Sequence, residues 1–237
     1  MSDATERMRR FWDERAREDP WYFVDSRLDY RSPDADRFWR GGNEVVELIL
    51  RAVDVSIQPT DVILDIGCGL GRLTRALATR ADRVIGLDVS KEMIDRAREL
   101  NAQLDNVEWV LGDGVSLAGI ADGSVDGVIS HVVFQHIPDP RITLGYVREM
   151  GRVLRPGGWA AFQVSTNPDV HRVRRSLVTR FLSLAGRAPR GQEDPSWLGS
   201  AVDLDDLRAA ASEGGLVLEH VEDPGSQFCT VLARRGA

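Results

Sequence analysis

The chain has 237 residues, enough for one α/β domain with appendages, and its 43% hydrophobic and 28% charged content is that of an ordinary soluble globular protein. A net charge of −7 argues against a nucleic-acid substrate, which calls for a basic surface, and no apolar run reaches the roughly 20 residues of a membrane span. The opening "MSDATERMRRFWDERARED" lacks the apolar core of a secretory signal, and Cys68 and Cys229 have neither disulfide-framework nor metal spacing, so a reduced, cytoplasmic setting is expected.

Eight of the sixteen aromatic residues precede residue 40: Phe11, Trp12, Trp21, Tyr22, Phe23, Tyr30, Phe38 and Trp39. This segment reads as a helix over about 4–18, an aromatic turn after Pro20 and a second helix over about 34–54, started at Asp34 and given its apolar face by "VVELILRAV". Residues 1–55 are therefore expected to form a helical, aromatic-rich cap, and 56–237 the main domain.

From residue 60 short strands alternate with helices. "DVILDIG" is a buried strand, followed by the helix "LGRLTRALATR"; "DRVIGLDVS" is the second strand, followed by "SKEMIDRAREL" with Ser90 as its cap. "NVEWVLGD" and "VDGVISHV" are the third and fourth strands, with Asp126 at the entry to the latter as a cap or turn residue. "RITLGYVREMGRVL" is a helix stopped by "RPGG", and "WAAFQVS" is the fifth strand. This alternation implies right-handed βαβ units and a mostly parallel sheet. Residues 169–185 read as helix and 186–200 as a Gly/Pro/Ser-rich loop with Trp197, so 166–202 has the place of a substrate lid. A helix near Asp203 precedes two strands joined by "PGS", a joint short enough to make them antiparallel.

The chemistry centres on "VILDIGCGLGRLTRAL". Gly67, Gly69 and Gly71 permit positive φ and let a ligand approach the backbone. A dinucleotide loop reads GxGxxG; here the run is GxGxG, and Arg72 holds the place of a late third glycine. Asp65, just before the loop, would repel a pyrophosphate and attract an ammonium. Asp88 ends the second strand, where it could accept from both hydroxyls of a ribose, and Asp113 ends the third, where it could accept from an adenine amino group. Asp88 as a cap and Asp113 as a turn residue are the plainer alternatives, as is helix–strand packing for Gly71.

With these blocks the chain resembles the class I S-adenosylmethionine-dependent methyltransferases, of the broad small-molecule group. The resemblance covers roughly residues 60–165, through "VILDIGCGLGRLTRALA", "VIGLDVSKEMIDRAR", "VEWVLGDG", "VDGVISHVVFQHIPDP" and "VLRPGGWAAFQVS". It implies a doubly wound, mostly parallel seven-stranded sheet with a terminal antiparallel strand, a Rossmann-like arrangement. It also implies S-adenosyl-L-methionine as cofactor, leaving as S-adenosyl-L-homocysteine. By position, Asp65, Gly67 and Gly69 would hold the methionine part, Asp88 the ribose, and Asp113 with Gly114 the adenine; Met93 would pack on the adenine face, and Gly71 and Ser130 would also be cofactor-binding.

The acceptor side is expected in "SHVVFQHIPDP", where His131 and His136 are candidate bases or substrate contacts. Many relatives carry two adjacent histidines here; Gln135 stands in the first of those places and only His136 matches. Trp21, Tyr22, Trp39 and Trp197 are candidates for lid or pocket lining, with anchoring of the cap helices as the alternative. Arg172, Arg174, Arg175 and Arg180 form an acid-free basic stretch, read as a solvated face. The segment lacks the Asn/Asp-Pro-Pro-aromatic signature of DNA amino-methylating enzymes, neither cysteine follows a proline as in cytosine-C5 enzymes, and Asp139 alone makes no metal cluster. The expected function is methyl transfer to oxygen or nitrogen of a small molecule, with no nucleic-acid or membrane partner. A quinone- or polyketide-type C-methyltransferase and a non-catalytic cofactor-binding module are the alternatives. An NAD-linked oxidoreductase is disfavoured, since the sole lysine, Lys91, lies in the helix after the second strand.

Overall fold

The computed structural model describes residues 3–172 and 188–236. The chain enters through α1 (Asp3–Glu18), α2 (Pro20–Val24) and α3 (Ala35–Ala52). The alternating region follows as β1 (Val62–Ile66), α4 (Arg72–Ala78), β2 (Arg83–Asp88), α5 (Lys91–Leu100), β3 (Val107–Leu111), β4 (Val125–Ser130), α6 (Pro140–Val153) and β5 (Leu154–Val164). It closes with α7 (Pro195–Leu198), α8 (Leu204–Glu213), β6 (Leu216–Glu222) and β7 (Cys229–Arg235). The helix starts follow their caps. Asp34 accepts from the Arg37 amide at 2.9 Å, and Ser90 accepts from the Met93 amide at 3.1 Å, each satisfying a donor that the first turn leaves open.

The seven strands pair in the order β3-β2-β1-β4-β5-β7-β6. The pairs from β3 through to β5 are parallel, and β7 runs antiparallel to both β5 and β6, as the short "PGS" joint predicts. The last strand of the chain therefore lies inside the sheet, and β6 takes the edge.

Alternation along the strands sorts the core into two layers. Leu64, Val128, Ala160 and Phe162 face one side, with Tyr146, Val147 and Met150 of α6 and Leu207 and Ala210 of α8. Ile63, Ile129, Trp159 and Ala161 face the other, with Val45, Val46 and Ile49 of α3 and Leu73 and Leu77 of α4. The indole of Trp159 fits because position 127 is glycine; a Cβ there would lie 2.5 Å from its ring. Asp126 lies inside β4 and is a sheet tie: its carboxylate accepts from the Val62 amide at 2.7 Å and pairs with Arg155.

Of the 169–185 helix expected from the sequence, the described part is a 3-10 turn, Pro168–His171; the remainder, with Arg174, Arg175 and Arg180, lies outside the described residues. Arg172 pairs with Asp169 at 3.0 Å. In the 186–200 stretch, α7 carries Trp197 and packs beside the turn Phe134–His136.

Close approach between α3 and α4 joins the N-terminal helices to the alternating region. A Cβ on Gly42 would sit 2.2 Å from the carbonyl oxygen of Arg72, whereas one on Gly41 would come no nearer than 3.4 Å, to the flexible end of Arg27. Gly42→Ala is therefore expected to lower the unfolding free energy by about 1–3 kcal/mol through overpacking. Gly41→Ala should be neutral or stabilising by up to ~1 kcal/mol from helix propensity. Denaturant titration of the two variants checks the difference.

Candidate active site

The order of strands reverses between β1 and β4, and a pocket opens there at their carboxyl ends, the position where open α/β sheets take ligands. Its space, open solvent at the mouth included, is about 950 Å³.

One wall is the glycine loop. Gly67, Gly69 and Gly71 have φ of 75°, 54° and 83°, and the Gly67 and Cys68 amides both donate to the Leu87 carbonyl at the end of β2. Asp65, 2% exposed, lines the pocket and accepts from Thr74 Oγ1 at 2.6 Å. Burial pushes its carboxyl up to about 6, against the opposing pull of Thr74 and Arg72. Asp88 also lines the pocket; its Oδ2 accepts from the Gly69 amide at 2.9 Å and its Oδ1 from the Ser90 amide at 2.8 Å. Burial raises its pKa, and those two amides hold it down. Each carboxylate keeps unused lone pairs, so both can still accept from a ligand. Met93, 2% exposed, lies at the same wall.

The opposite wall comes from the β4–α6 connection and from the cap. His131 and His136 both line the pocket, as do Met8 and Trp12 of α1 and Phe23 and Val24 of α2. His136 is held on two sides. Its Nδ1 donates to the Trp197 carbonyl at 2.7 Å, and its ring lies 5.1 Å from the Trp197 ring and 5.7 Å from Trp12. Burial pulls both imidazoles down to about 4, helped at His131 by the Arg72 and Arg27 charges, so both are neutral near pH 7.

Several residues singled out in the sequence stand elsewhere. Asp113 is absent from the pocket lining: its Oδ1 accepts from the Val115 and Ser116 amides at 2.9 and 2.7 Å and its Oδ2 from Ser116 Oγ at 2.6 Å. The turn just after β3 brings three donors to this carboxylate, so it acts as a turn residue. Gly114 (φ 82°) sits under Thr5 and Met8 of α1, which pack where its Cβ would be. Gly71 makes room for the Trp109 ring, 2.5 Å from where a Cβ would stand. Ser130 is buried below the pocket, its Oγ donating to the Ile66 carbonyl at 3.0 Å.

Trp21 and Trp39 pack edge-on against Phe38, and Arg75 lies 3.4 Å over the Trp39 ring. Tyr22 packs against Phe23 and Tyr30. These three therefore anchor the cap. Trp197 stands behind the wall, 5.5 Å from Phe23 and 6.3 Å from Trp12. The N-terminal helices' aromatic share of the lining is Trp12 and Phe23, which helical spacing alone does not separate from their neighbours; Phe134 and Tyr146 line it from the sheet side.

The residues fit S-adenosylmethionine at its amino-acid and ribose ends, through the two buried carboxylates that retain accepting capacity. Asp113 stands outside the pocket lining, with three of its acceptor positions taken by its own turn.

Residues 64–162 match the family model described as a methyltransferase domain. The chain is 31% identical over 172 residues to an uncharacterised methyltransferase of Schizosaccharomyces pombe, covering 71% of this chain and 64% of that one. It is 30% identical over 152 residues to a demethylmenaquinone methyltransferase of Staphylococcus aureus, covering 61% of each. It thus spans less than two thirds of the length of these curated relatives. Among solved structures, a phosphoethanolamine N-methyltransferase of Haemonchus contortus in complex with phosphoethanolamine and S-adenosylhomocysteine shares the fold. Its TM-score is 0.69 at 17% identity, over 100% of this chain and 50% of that one. Residues 64–162 thus match a methyltransferase domain, on a fold shared with solved S-adenosylmethionine-dependent methyltransferases.

Proposed function

We propose that the chain transfers the methyl group of S-adenosylmethionine to a small-molecule acceptor, at a hydroxyl oxygen ahead of a nitrogen. The observation that carries this is the tautomer of His136. With Nδ1–H bonded to the Trp197 carbonyl, the neutral ring keeps its lone pair on Nε2, in the same pocket as Asp65 and Asp88. Bound, the cofactor supplies an already activated methyl. The chain's own residues supply position, a dry wall and a proton acceptor. Asp65 and Asp88 orient the donor, and Trp12, Phe23 and Val133 exclude water from the acceptor side. His136 Nε2 takes the proton that a hydroxyl acceptor must lose, a service that a neutral amine needs less. In this reading residues 1–55 are the cap and 166–202 the substrate lid, supported by α1 packing on both α5 and α7. A quinone-type carbon acceptor is the second reading, favoured by the largely apolar acceptor wall and by the similarity to a demethylmenaquinone methyltransferase.

Among the described residues, no helix is long and apolar enough to cross a membrane. A panel of phenols, amines and quinols, read by release of S-adenosylhomocysteine, tests the proposal. Turnover on a hydroxyl acceptor is expected, and cofactor binding with no turnover on any class would mark a binding module instead. His136→Ala should lower kcat on the hydroxyl acceptor by about 100-fold or more; full turnover would remove its role as base. Asp88→Ala should weaken S-adenosylhomocysteine binding by about 1–3 kcal/mol in calorimetry, and unchanged affinity would end the ribose assignment.

The pH behaviour follows from the two histidines. Their native pKa values of about 4 lie below the ordinary 6.5, so the unfolded chain takes up protons first. Their contribution to stability is full above about pH 6.5 and is lost as the pH falls toward 4. Asp65, raised to about 6, runs the other way, its contribution being lost as the pH rises from 3.8 through 6. The imidazole nitrogen NMR shifts of His136 should accordingly report an Nδ1–H neutral ring that does not titrate between pH 7 and about 5.

A further inference from the structure

Arg72 is the first residue of α4, and its side chain is 5% exposed yet lines the pocket. Its Nε and Nη1 are buried with no hydrogen-bond partner. The nearest carboxylate recorded for it is Asp25, whose Oδ2 lies 3.7 Å from Nη1, an ion-pair distance without a hydrogen bond. Asp25 is already committed. Its Oδ1 accepts from Arg27 Nε at 2.7 Å and from the Arg27 amide at 3.2 Å, and its Oδ2 from Arg27 Nη2 at 2.6 Å. A guanidinium so deeply buried normally has its donors taken by an acceptor, because the hydration it loses is otherwise unrecovered.

The surroundings specify what is missing. The Phe38 ring lies 5.9 Å from the Arg72 guanidinium carbon, and Gly42 packs against the Arg72 backbone carbonyl and Cγ. His131, across the pocket, has a buried Nδ1 without a partner, and its neutral ring leaves the positive charge of Arg72 unopposed on that side. Asp65, which lies close enough for Arg72 to lower its pKa, lines the same pocket and has accepting capacity left. One corner thus holds a planar bidentate donor beside a carboxylate, the pair of charges that a zwitterionic amino-acid group requires.

We infer that Arg72 is the carboxylate anchor of this pocket, with Asp65 beside it for the ammonium of the same amino-acid group. The inference rests on the proposed donor, whose methionine part carries both charges. The same chemistry could come from a carboxylate on the acceptor, and the experiment separates the two sources.

Calorimetry compares S-adenosylhomocysteine with its decarboxylated analogue, which keeps the ammonium, on the wild-type chain, Arg72→Met and Arg72→Lys. Binding of S-adenosylhomocysteine to the wild type tests the donor itself. If the anchor holds the donor's carboxylate, Arg72→Met weakens S-adenosylhomocysteine by about 10- to 100-fold, the scale of a lost charged hydrogen bond. It leaves the decarboxylated analogue within about twofold, which also shows that the variant is folded. Arg72→Lys, retaining the charge without the fork, should fall between. Benzoate, titrated into the chain with the decarboxylated analogue or S-adenosylhomocysteine already bound, is the second arm. If Arg72→Met abolishes benzoate binding and spares S-adenosylhomocysteine, the anchor stands and its carboxylate belongs to the acceptor. Equal weakening of both nucleosides, or no change in either nucleoside or benzoate, overturns the assignment.

Discussion

The site depends on one buried carboxylate. Asp88 ends β2 and is bonded through Oδ2 to the Gly69 amide and through Oδ1 to the Ser90 amide, so it ties the glycine loop to the start of α5. Ser90 passes the connection on, donating from Oγ to Asp13 of α1 at 2.6 Å, while Asp13 also accepts from the Glu92 amide at 3.1 Å. Loop, second helix and cap are therefore joined through a short chain of hydrogen bonds to charged groups, which are stronger than neutral ones. The position proposed for the ribose is also the one that fixes the loop.

The second constraint is the charge balance of a pocket walled by apolar groups. Asp65 and Asp88 are both pushed up by burial and held down by hydrogen bonds, and Arg72 sits among them with its own charge disfavoured by desolvation. Such an arrangement is costly in the free protein and is relieved by a ligand of complementary charge. On the other side, His136 is kept neutral by burial and oriented by the Trp197 carbonyl, between the rings of Trp12 and Trp197. The proposed donor half is thus polar and charged, and the proposed acceptor half is aromatic with one oriented base.

The N-terminal helices belong to this balance. Trp12 and Phe23 reach the pocket from α1 and α2, and Trp197 reaches behind them from α7, so segments far apart in sequence meet over the acceptor side. Trp21, Tyr22 and Trp39 face away and lock the cap helices together through edge-to-face contacts and through Arg75. Helical spacing marks both sets as one aromatic cluster, because periodicity shows that a face is buried and is silent about what it is buried against.

The order of strands and helices, the antiparallel last strand, the glycine loop and the carboxylates Asp65 and Asp88 are all legible along the chain. They rest on local rules: alternation, caps, turn length and the positive φ that glycine supplies. Asp113 was not legible in the same way. A carboxylate at a strand end reads alike whether it faces a ligand or its own turn, and only the path after β3, which places the Val115 and Ser116 donors around it, selects the turn. Arg72 shows the same limit from the other side. Its place after the loop is local information, but the burial of its guanidinium and the commitment of Asp25 to Arg27 arise from the docking of α3 and the α2–α3 loop onto α4. Local pattern decides which elements form and which end of the sheet binds. Long-range packing decides which charged group is left facing the pocket, because desolvation and partner choice depend on every segment that converges there.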